Sequence, residues 1–356
     1  MNRRRVVVAG HICVDLVPRI ESSSEESMLA SLLPGRTLHV GPLTMIPGGA
    51  VANVGIALSR FGVDTVLVAR RGTDSLGETL PALLTHAAPR ARLALTNDHD
   101  LGTSYSVIVS RPGSDRIILQ HPGANDAFTA LDLDPALLAS CALLHFGYPQ
   151  VMRSAYHDGG TMVRDLFSRA RRAGVATSLD LTIADPDSEA ARADWSGFLK
   201  RVLPETDIFA PSIAELREAF GTDDDADAIA LRCVDLGAGV VAVKLGSDGL
   251  LVRSGSANAL SASPLRRVVR TDEWAGKRIA QPAFPVAVRN TLGAGDTAIA
   301  GLLAGVIEGR SIEESSRLAA AAGAWSVESG HTHATLPSLE TLDRRLAGEW
   351  HKEKQP

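Results

Sequence analysis

Short apolar runs rich in β-branched residues recur along the chain, at Val6-Val7-Val8, Thr65-Val66-Leu67-Val68, Ala142-Leu143-Leu144, Ala176-Thr177-Ser178-Leu179, Asp207-Ile208-Phe209 and Val240-Val241-Ala242-Val243. Runs that stay apolar instead of alternating with polar residues predict strands covered on both faces, as in a parallel sheet. Between several of them the apolar spacing lengthens to that of a helix, with Val51, Val54, Gly55 and Leu58 ahead of Gly62, and Met162, Val163, Leu166 and Phe167 ahead of Gly174. Strand and helix in alternation predict a doubly wound α/β sheet flanked by helices.

Two stretches break this rhythm, Pro18 to Pro47 and Asn97 to Ala124. In the second, Thr103 to Val109 and Arg116 to Leu119 flank Pro112-Gly113-Ser114-Asp115, a hairpin pattern. Extra strands from about residues 12–47 and 98–124 are expected to form a small β-strand lid on a single α/β domain spanning 1–356. Ser22-Ser23-Ser24-Glu25-Glu26 reads as a mobile tip, and Glu349 to Pro356 as a solvated tail.

Composition narrows the partners. An apolar content of 45% in 356 residues is ordinary for a globular protein and allows a sizeable core. A formal net charge of −5 gives no bulk attraction to nucleic acid or to anionic lipid, so neither is expected as a partner. Cys13, Cys141 and Cys233 make neither a disulfide framework nor a zinc spacing, which fits a reducing, cytoplasmic setting. Arg3-Arg4-Arg5 before Val6-Val7-Val8 mimics a signal peptide, but His11 and Asp15 interrupt it, and it reads as a first strand. The best apolar stretch, Ala298 to Ile307, falls short of the roughly 18 residues a membrane span needs.

The richest segment chemically is Asn290-Thr291-Leu292-Gly293-Ala294-Gly295-Asp296. It follows the strand-like Val286-Ala287-Val288 and precedes a helix with Ile299, Leu302, Leu303 and Val306 on one face and Gly309 as its stop. Backbone N–H groups at a helix N-terminus have no intrahelical partner, and small residues let a phosphate reach them, so Gly293, Ala294 and Gly295 form a candidate anion hole. Asp296 at the same turn suits a base that takes the proton of an attacking hydroxyl. Taken alone, the segment would more readily describe a tight turn with an aspartate cap, and the other motifs shift that balance. Gly293-x-Gly295-x-x-Ala298 also fits a dinucleotide fingerprint. The next element, however, is a helix opened by the capping box Ser311-Ile312-Glu313-Glu314, where that fold requires a strand. Gly237-x-Gly239-x-x-Ala242 precedes a strand instead of following one, and no Walker A sequence is present.

With these motifs in order, the chain resembles the ribokinase, or phosphofructokinase B, family of carbohydrate kinases from about residue 5 to about residue 335. Residues 290 to 296 look like its Asp-Thr-x-Gly-Ala-Gly-Asp signature, with Asn290 in place of the first aspartate. Gly48-Gly49-Ala50-Val51-Ala52-Asn53, Phe61-Gly62 and Gly72-Thr73-Asp74-Ser75-Leu76-Gly77 resemble its N-terminal glycine motif. Val8-Ala9-Gly10-His11-Ile12-Cys13-Val14-Asp15 is similar to its first strand and substrate-contacting aspartate. Lys244-Leu245-Gly246-Ser247-Asp248-Gly249 looks like its nucleotide loop. Ser212-Ile213-Ala214-Glu215 resembles its Asn-x-x-Glu motif, with serine where asparagine is usual.

The resemblance implies a ribokinase-like doubly wound, mostly parallel sheet with a lid, and ATP-dependent phosphorylation of a sugar hydroxyl with Asp296 as base. Asp15, Gly48, Gly49 and Asn53 would hold the sugar. Ser212, Lys244, Gly246, Gly249 and the Gly293–Gly295 loop would hold ATP, and Glu215 would organise hydrated Mg2+. At Asn290 a neutral amide replaces an acid that helps bind an activating cation, so weak or absent potassium activation is expected. Lids in this family often clasp into a homodimer. A nucleoside kinase of the same fold is a rival reading that 4% aromatic content disfavours, and an intact Gly-Ala-Gly-Asp disfavours a non-catalytic sugar-responsive binder. Asp180, ending a strand, points toward the same crevice without an assigned contact. His121, His331 and His333 lack the neighbouring acids or cysteines of a metal site, and Arg169, Arg171 and Arg172 read as the solvated end of a helix.

Overall fold

The computed structural model describes residues 4–20, 34–35, 37–109, 117–330, 335–348 and 350. Every predicted apolar run is a strand of one nine-stranded sheet. Its members are β1 (Val6–Gly10), β4 (Thr65–Gly72), β5 (Arg92–Asp98), β8 (Leu143–Gly147), β9 (Ala176–Asp180), β10 (Ile208–Phe209), β11 (Val240–Lys244), β12 (Leu250–Ser254) and β13 (Arg278–Gln281). They lie in the order β13-β12-β11-β10-β9-β8-β1-β4-β5, parallel from β11 to β5, with β12 and β13 antiparallel at one edge. β13 was not legible in the apolar pattern, because a half-exposed edge strand needs no continuous apolar run, whereas β12 carries the buried run Leu250-Leu251-Val252.

Both faces are covered, as the continuous runs require. Val6 and Val8 pack on the side of the Gly49–Arg60 and Ala294–Glu308 helices, while Val7 and Ala9 pack on the side of the Thr161–Arg172 and Trp195–Val202 helices. From β1 the chain builds outward to β4 and β5, then returns to lay β8 on the other flank of β1. The connections therefore diverge between β1 and β8, and the carboxyl ends of these strands open the crevice where ligands of such folds bind.

A second sheet, ordered β3-β2-β6-β7, comprises β2 (Cys13–Pro18), β3 (Leu43–Gly48), β6 (Tyr105–Val109) and β7 (Ile117–His121). It is tied to the crevice twice at one end of the β2–β3 pair, where Cys13 faces Gly48: only His11 and Ile12 separate β1 from β2, and β3 runs straight into the Gly49–Arg60 helix. Asn125 clamps the first junction, accepting from the Ile12 N–H at 3.1 Å and donating to its carbonyl at 2.8 Å. The β6–β7 pair is antiparallel as expected, while the turn predicted at Pro112 to Asp115 lies outside the described residues, as do Ser22 to Glu26, His331 and His333. Leu43, Met45, Ile117, Ile118 and Leu119 leave apolar surface exposed on this sheet.

Three expectations need correction. Val286 to Val288 is irregular chain, with Val288 exposed, and the residues that follow turn to a helix rather than a strand, Arg289 and Asn290 donating their N–H groups to the Val327 carbonyl. Arg171 is no solvated helix end: it pairs with buried Asp207 and with Glu205. In the tail, Trp350 is buried and stacks on Phe284 with ring centroids 4.3 Å apart. Among the described residues no helix is long and apolar enough to cross a membrane.

Candidate active site

The glycine loop meets its helix as the residue pattern dictates. Gly293 adopts φ +69°, a left-handed conformation favoured by glycine, and starts the Ala294–Glu308 helix without any side-chain cap. The Ala294 N–H turns to the Thr291 carbonyl at 3.3 Å, and no side chain caps the helix start, so the N–H groups of Gly295 and Asp296 are the ones left open to an anion. Asp296 sits in that first turn and is nevertheless buried, with 3% of its surface exposed. It does not cap the helix. Its carboxylate accepts from the Tyr148 hydroxyl at 2.8 Å and from the Asn53 amide at 2.9 Å. Burial raises its pKa above the usual aspartate value, against the opposing pull of Lys244 and of the Tyr148 and Asn53 donors.

Around this carboxylate stand groups from three strands, β11, β9 and β8. Lys244, ending β11, donates to Asp180, ending β9, at 2.8 Å. Its ammonium also adjoins the glycine loop, lying 3.6 Å from where a Cβ on Gly295 would be. Burial alone would lower the Lys244 pKa, but Asp180, Glu215 and Asp296 outweigh it and hold the side chain charged. Asp180 is forced upward by burial, and its Oδ2 is buried with no hydrogen-bond partner. His145 on β8, buried beside this group, is held neutral with its pKa at about 3 by burial and by Lys244.

On the lid side, Gly48 and Gly49 are needed for close approach. A Cβ on Gly48 would collide with the Asp15 carboxylate, and one on Gly49, at φ +82°, would lie 2.5 Å from His11 Nδ1. Asp15 on β2 accepts from the Cys13 thiol at 3.3 Å, and burial raises its pKa. Asn53, one turn into the Gly49–Arg60 helix, reaches Asp296 and joins this half of the crevice to the other. Glu215 and Ser212 form a capping box at the Ile213–Phe220 helix, with the Ser212 N–H donating to Glu215 at 2.6 Å, and Ser212 bridges in parallel to Lys244. Gly246 and Gly249 lie in the turn between β11 and β12, and Asn290 accepts from the Leu292 N–H at 2.9 Å, bracing the approach to the loop.

This crevice fits a group-transfer enzyme, and comparison with known proteins decides which. A profile of the pfkB family of carbohydrate kinases matches residues 3–339. The chain belongs to that family. It is a carbohydrate kinase, and ATP use is implied by the family. An uncharacterized sugar kinase of Archaeoglobus fulgidus is 28% identical to this pfkB-family chain over 79% of its length and 98% of the relative's. Fructokinase-1 of Zea mays is 24% identical over 96% of each chain. Among solved structures, Arabidopsis thaliana ribokinase complexed with ribose and ATP superposes with a TM-score of 0.70 at 22% identity, covering 97% of this chain and 99% of that one. Thermotoga maritima ribokinase gives 0.72 at 18% identity, covering 96% and 99%. These likenesses establish the ribokinase-like fold.

Sequence reasoning missed Tyr148 and His11 and left Asp180 without a contact. Tyr148 carries a signal only structure reveals: at φ +67° it is the one non-glycine residue with a left-handed backbone among the described residues. Such a conformation costs about 1–3 kcal/mol and collects at functional sites. His11 is buried and neutral, its pKa near 3 through burial, and contacts Gln120 of β7 at 3.0 Å, a link between crevice and lid. A strand-end aspartate such as Asp180 was visible, but its lysine partner, 64 residues away, was not.

Proposed function

We propose that this kinase transfers the γ-phosphoryl group of ATP to a hydroxyl of a sugar or sugar-like compound, with Asp296 as the general base. The observation that carries the reading is a buried carboxylate placed in the same helical turn as open N–H groups, so that proton acceptor and anion hole face one reacting centre. Asp15, Gly48, Gly49 and Asn53 hold the acceptor; the Gly293–Gly295 loop, Lys244, Ser212 and the Gly246–Gly249 turn hold the nucleotide. Tyr148 and Asn53 orient the Asp296 carboxylate, and the pKa raised by burial makes it a stronger base than a surface aspartate. Closure of the small sheet excludes water, which competes as acceptor.

The oxygen donors nearby suit Mg2+. Among the described residues no group of three acids, histidines or cysteines is arranged to enclose a metal, as expected of an ion that keeps most of its waters and binds largely through phosphate. Glu215 and the unpartnered Asp180 Oδ2 would hold its hydration shell, and the ion would neutralise charge on the phosphates. The exposed apolar residues of the small sheet favour a homodimer through the lid.

ADP release measured over a panel of pentoses, hexoses, sugar acids, sugar phosphates and nucleosides tests this function. Turnover confined to nucleosides would select the nucleoside-kinase alternative. ATP binding without turnover on any acceptor, in a chain that binds a sugar, would select a sugar-responsive binder.

A further inference from the structure

At the amino ends of the strands, far from the glycine loop, a cavity of about 590 Å³ is lined by Arg171, Arg172, Arg266 and Arg267 together with Glu205 and Gly174. Its size is that of a small-molecule site. Two elements supply the arginines: the last turn of the Thr161–Arg172 helix and the short Pro264–Arg267 turn. Arg171 is anchored by Glu205 at 3.3 Å and by Asp207. Among the described residues the other three donate to neutral oxygens only: Arg172 to the Ser168 hydroxyl at 2.8 Å, Arg266 to the Ser261 carbonyl at 2.8 Å, and Arg267 to the Gly174 carbonyl at 3.0 Å.

These bonds fix geometry without cancelling charge. Helix-terminal carbonyls would repel an anion, but Arg267 covers the one at Gly174, and a Cβ at Gly174 would collide with that guanidinium. Glu205 is the one acid in the lining and is already engaged by Arg171. The result is an excess of positive charge at one concavity in a chain of net charge −5. Planar guanidiniums held in place suit phosphate oxygens, which they bind with paired donors.

We infer that this cavity is a second, non-catalytic binding site for a small compound bearing a phosphate or pyrophosphate group. Its volume and the overall negative charge of the chain favour a metabolite over a nucleic acid.

Calorimetric titration with inorganic pyrophosphate at low ionic strength, comparing the wild-type chain with Arg172→Ser/Arg266→Ser/Arg267→Ser, tests the site. The wild type should show a binding event that the triple variant loses, with a fall of about tenfold per guanidinium removed. ATP binding and sugar turnover should stay unchanged, which separates this site from the glycine loop. These side chains are exposed, so the fold should persist; if the triple variant melts early, Arg266→Ser alone should still weaken pyrophosphate by about tenfold. Equal affinity in the variants, or no pyrophosphate binding by the wild type at millimolar concentration, overturns the inference. Parallel titrations with fructose 1,6-bisphosphate and ADP distinguish a sugar phosphate from a nucleotide as the source of the group.

Discussion

Asp180 and Asp207 are both buried aspartates on neighbouring strands, yet one carboxylate is finished and the other is not. Asp207, just ahead of β10, accepts from the Arg171 guanidinium, from the Ser263 hydroxyl at 2.6 Å and from the Thr177 N–H at 2.8 Å. Among the described residues Asp180, at the opposite end of β9, accepts from Lys244 alone and keeps a bare buried oxygen. Burial raises the pKa of each. A fully bonded carboxylate has nothing left to offer a ligand, whereas a buried one with an idle oxygen is costly until something polar arrives. The contrast marks Asp207 as a member of the scaffold and Asp180 as part of the proposed chemistry.

The largest expected effect lies at the third buried aspartate. Asp296→Asn keeps size and polarity but cannot take a proton, so turnover should fall by about two to four orders of magnitude with melting temperature and ATP affinity retained. Near wild-type turnover would remove the base from the mechanism. Next comes the Asp180–Lys244 pair. Lys244→Met should lower turnover by about 10²–10³-fold, as loss of a donor to developing charge does, and should also destabilise by stranding Asp180. In Asp180→Asn/Lys244→Met the stranded charge is gone, so melting temperature should recover while turnover does not; recovery of both would place the pair with Asp207. Asp207→Ala should behave oppositely, costing about 3–5 kcal/mol in urea unfolding with kcat and KM preserved. Altered kinetics in the folded variant would erase the distinction.

Smaller effects sharpen the same division. Asp15→Ala and Asn53→Ala should each weaken sugar binding by roughly 10-fold while ATP affinity holds, because each removes hydrogen bonds to the acceptor; calorimetry showing equal loss for ATP would contradict this. The acid limb of the kcat profile should lie above the usual aspartate range, since activity needs the ionised base and is lost as pH falls through the raised Asp296 pKa. Tyr148→Phe removes a bond that favours the ionised form, so it should move that limb further up. An unmoved limb would reduce Tyr148 to packing.

Legibility followed range. The parallel strands were readable because burial on both faces writes a local apolar run, and the Ser311 capping box and the Gly309 stop were readable because helix ends are specified within a few residues. The glycine loop and Asp296 belong to one short segment and were found for the same reason. Tyr148, His11 and the Lys244 bond to Asp180 were not, since each acquires its meaning from a partner supplied by a distant part of the chain. Arg171 was misjudged for that reason too: nothing near it in sequence announces Asp207, 36 residues on.

One bond described above reaches across nearly the whole polypeptide. Asn53 and Asp296 are 243 residues apart, so the two halves of the crevice meet only after the Ala294–Glu308 helix has docked. During synthesis the proposed acceptor side, carrying Asp15, Gly49 and Asn53, leaves the ribosome long before the proposed anion hole at Gly293–Gly295. On the proposed roles, a nascent or C-terminally truncated chain would lack the group that activates the sugar hydroxyl. Competence to transfer phosphate arrives late and all at once, as a property of the completed fold.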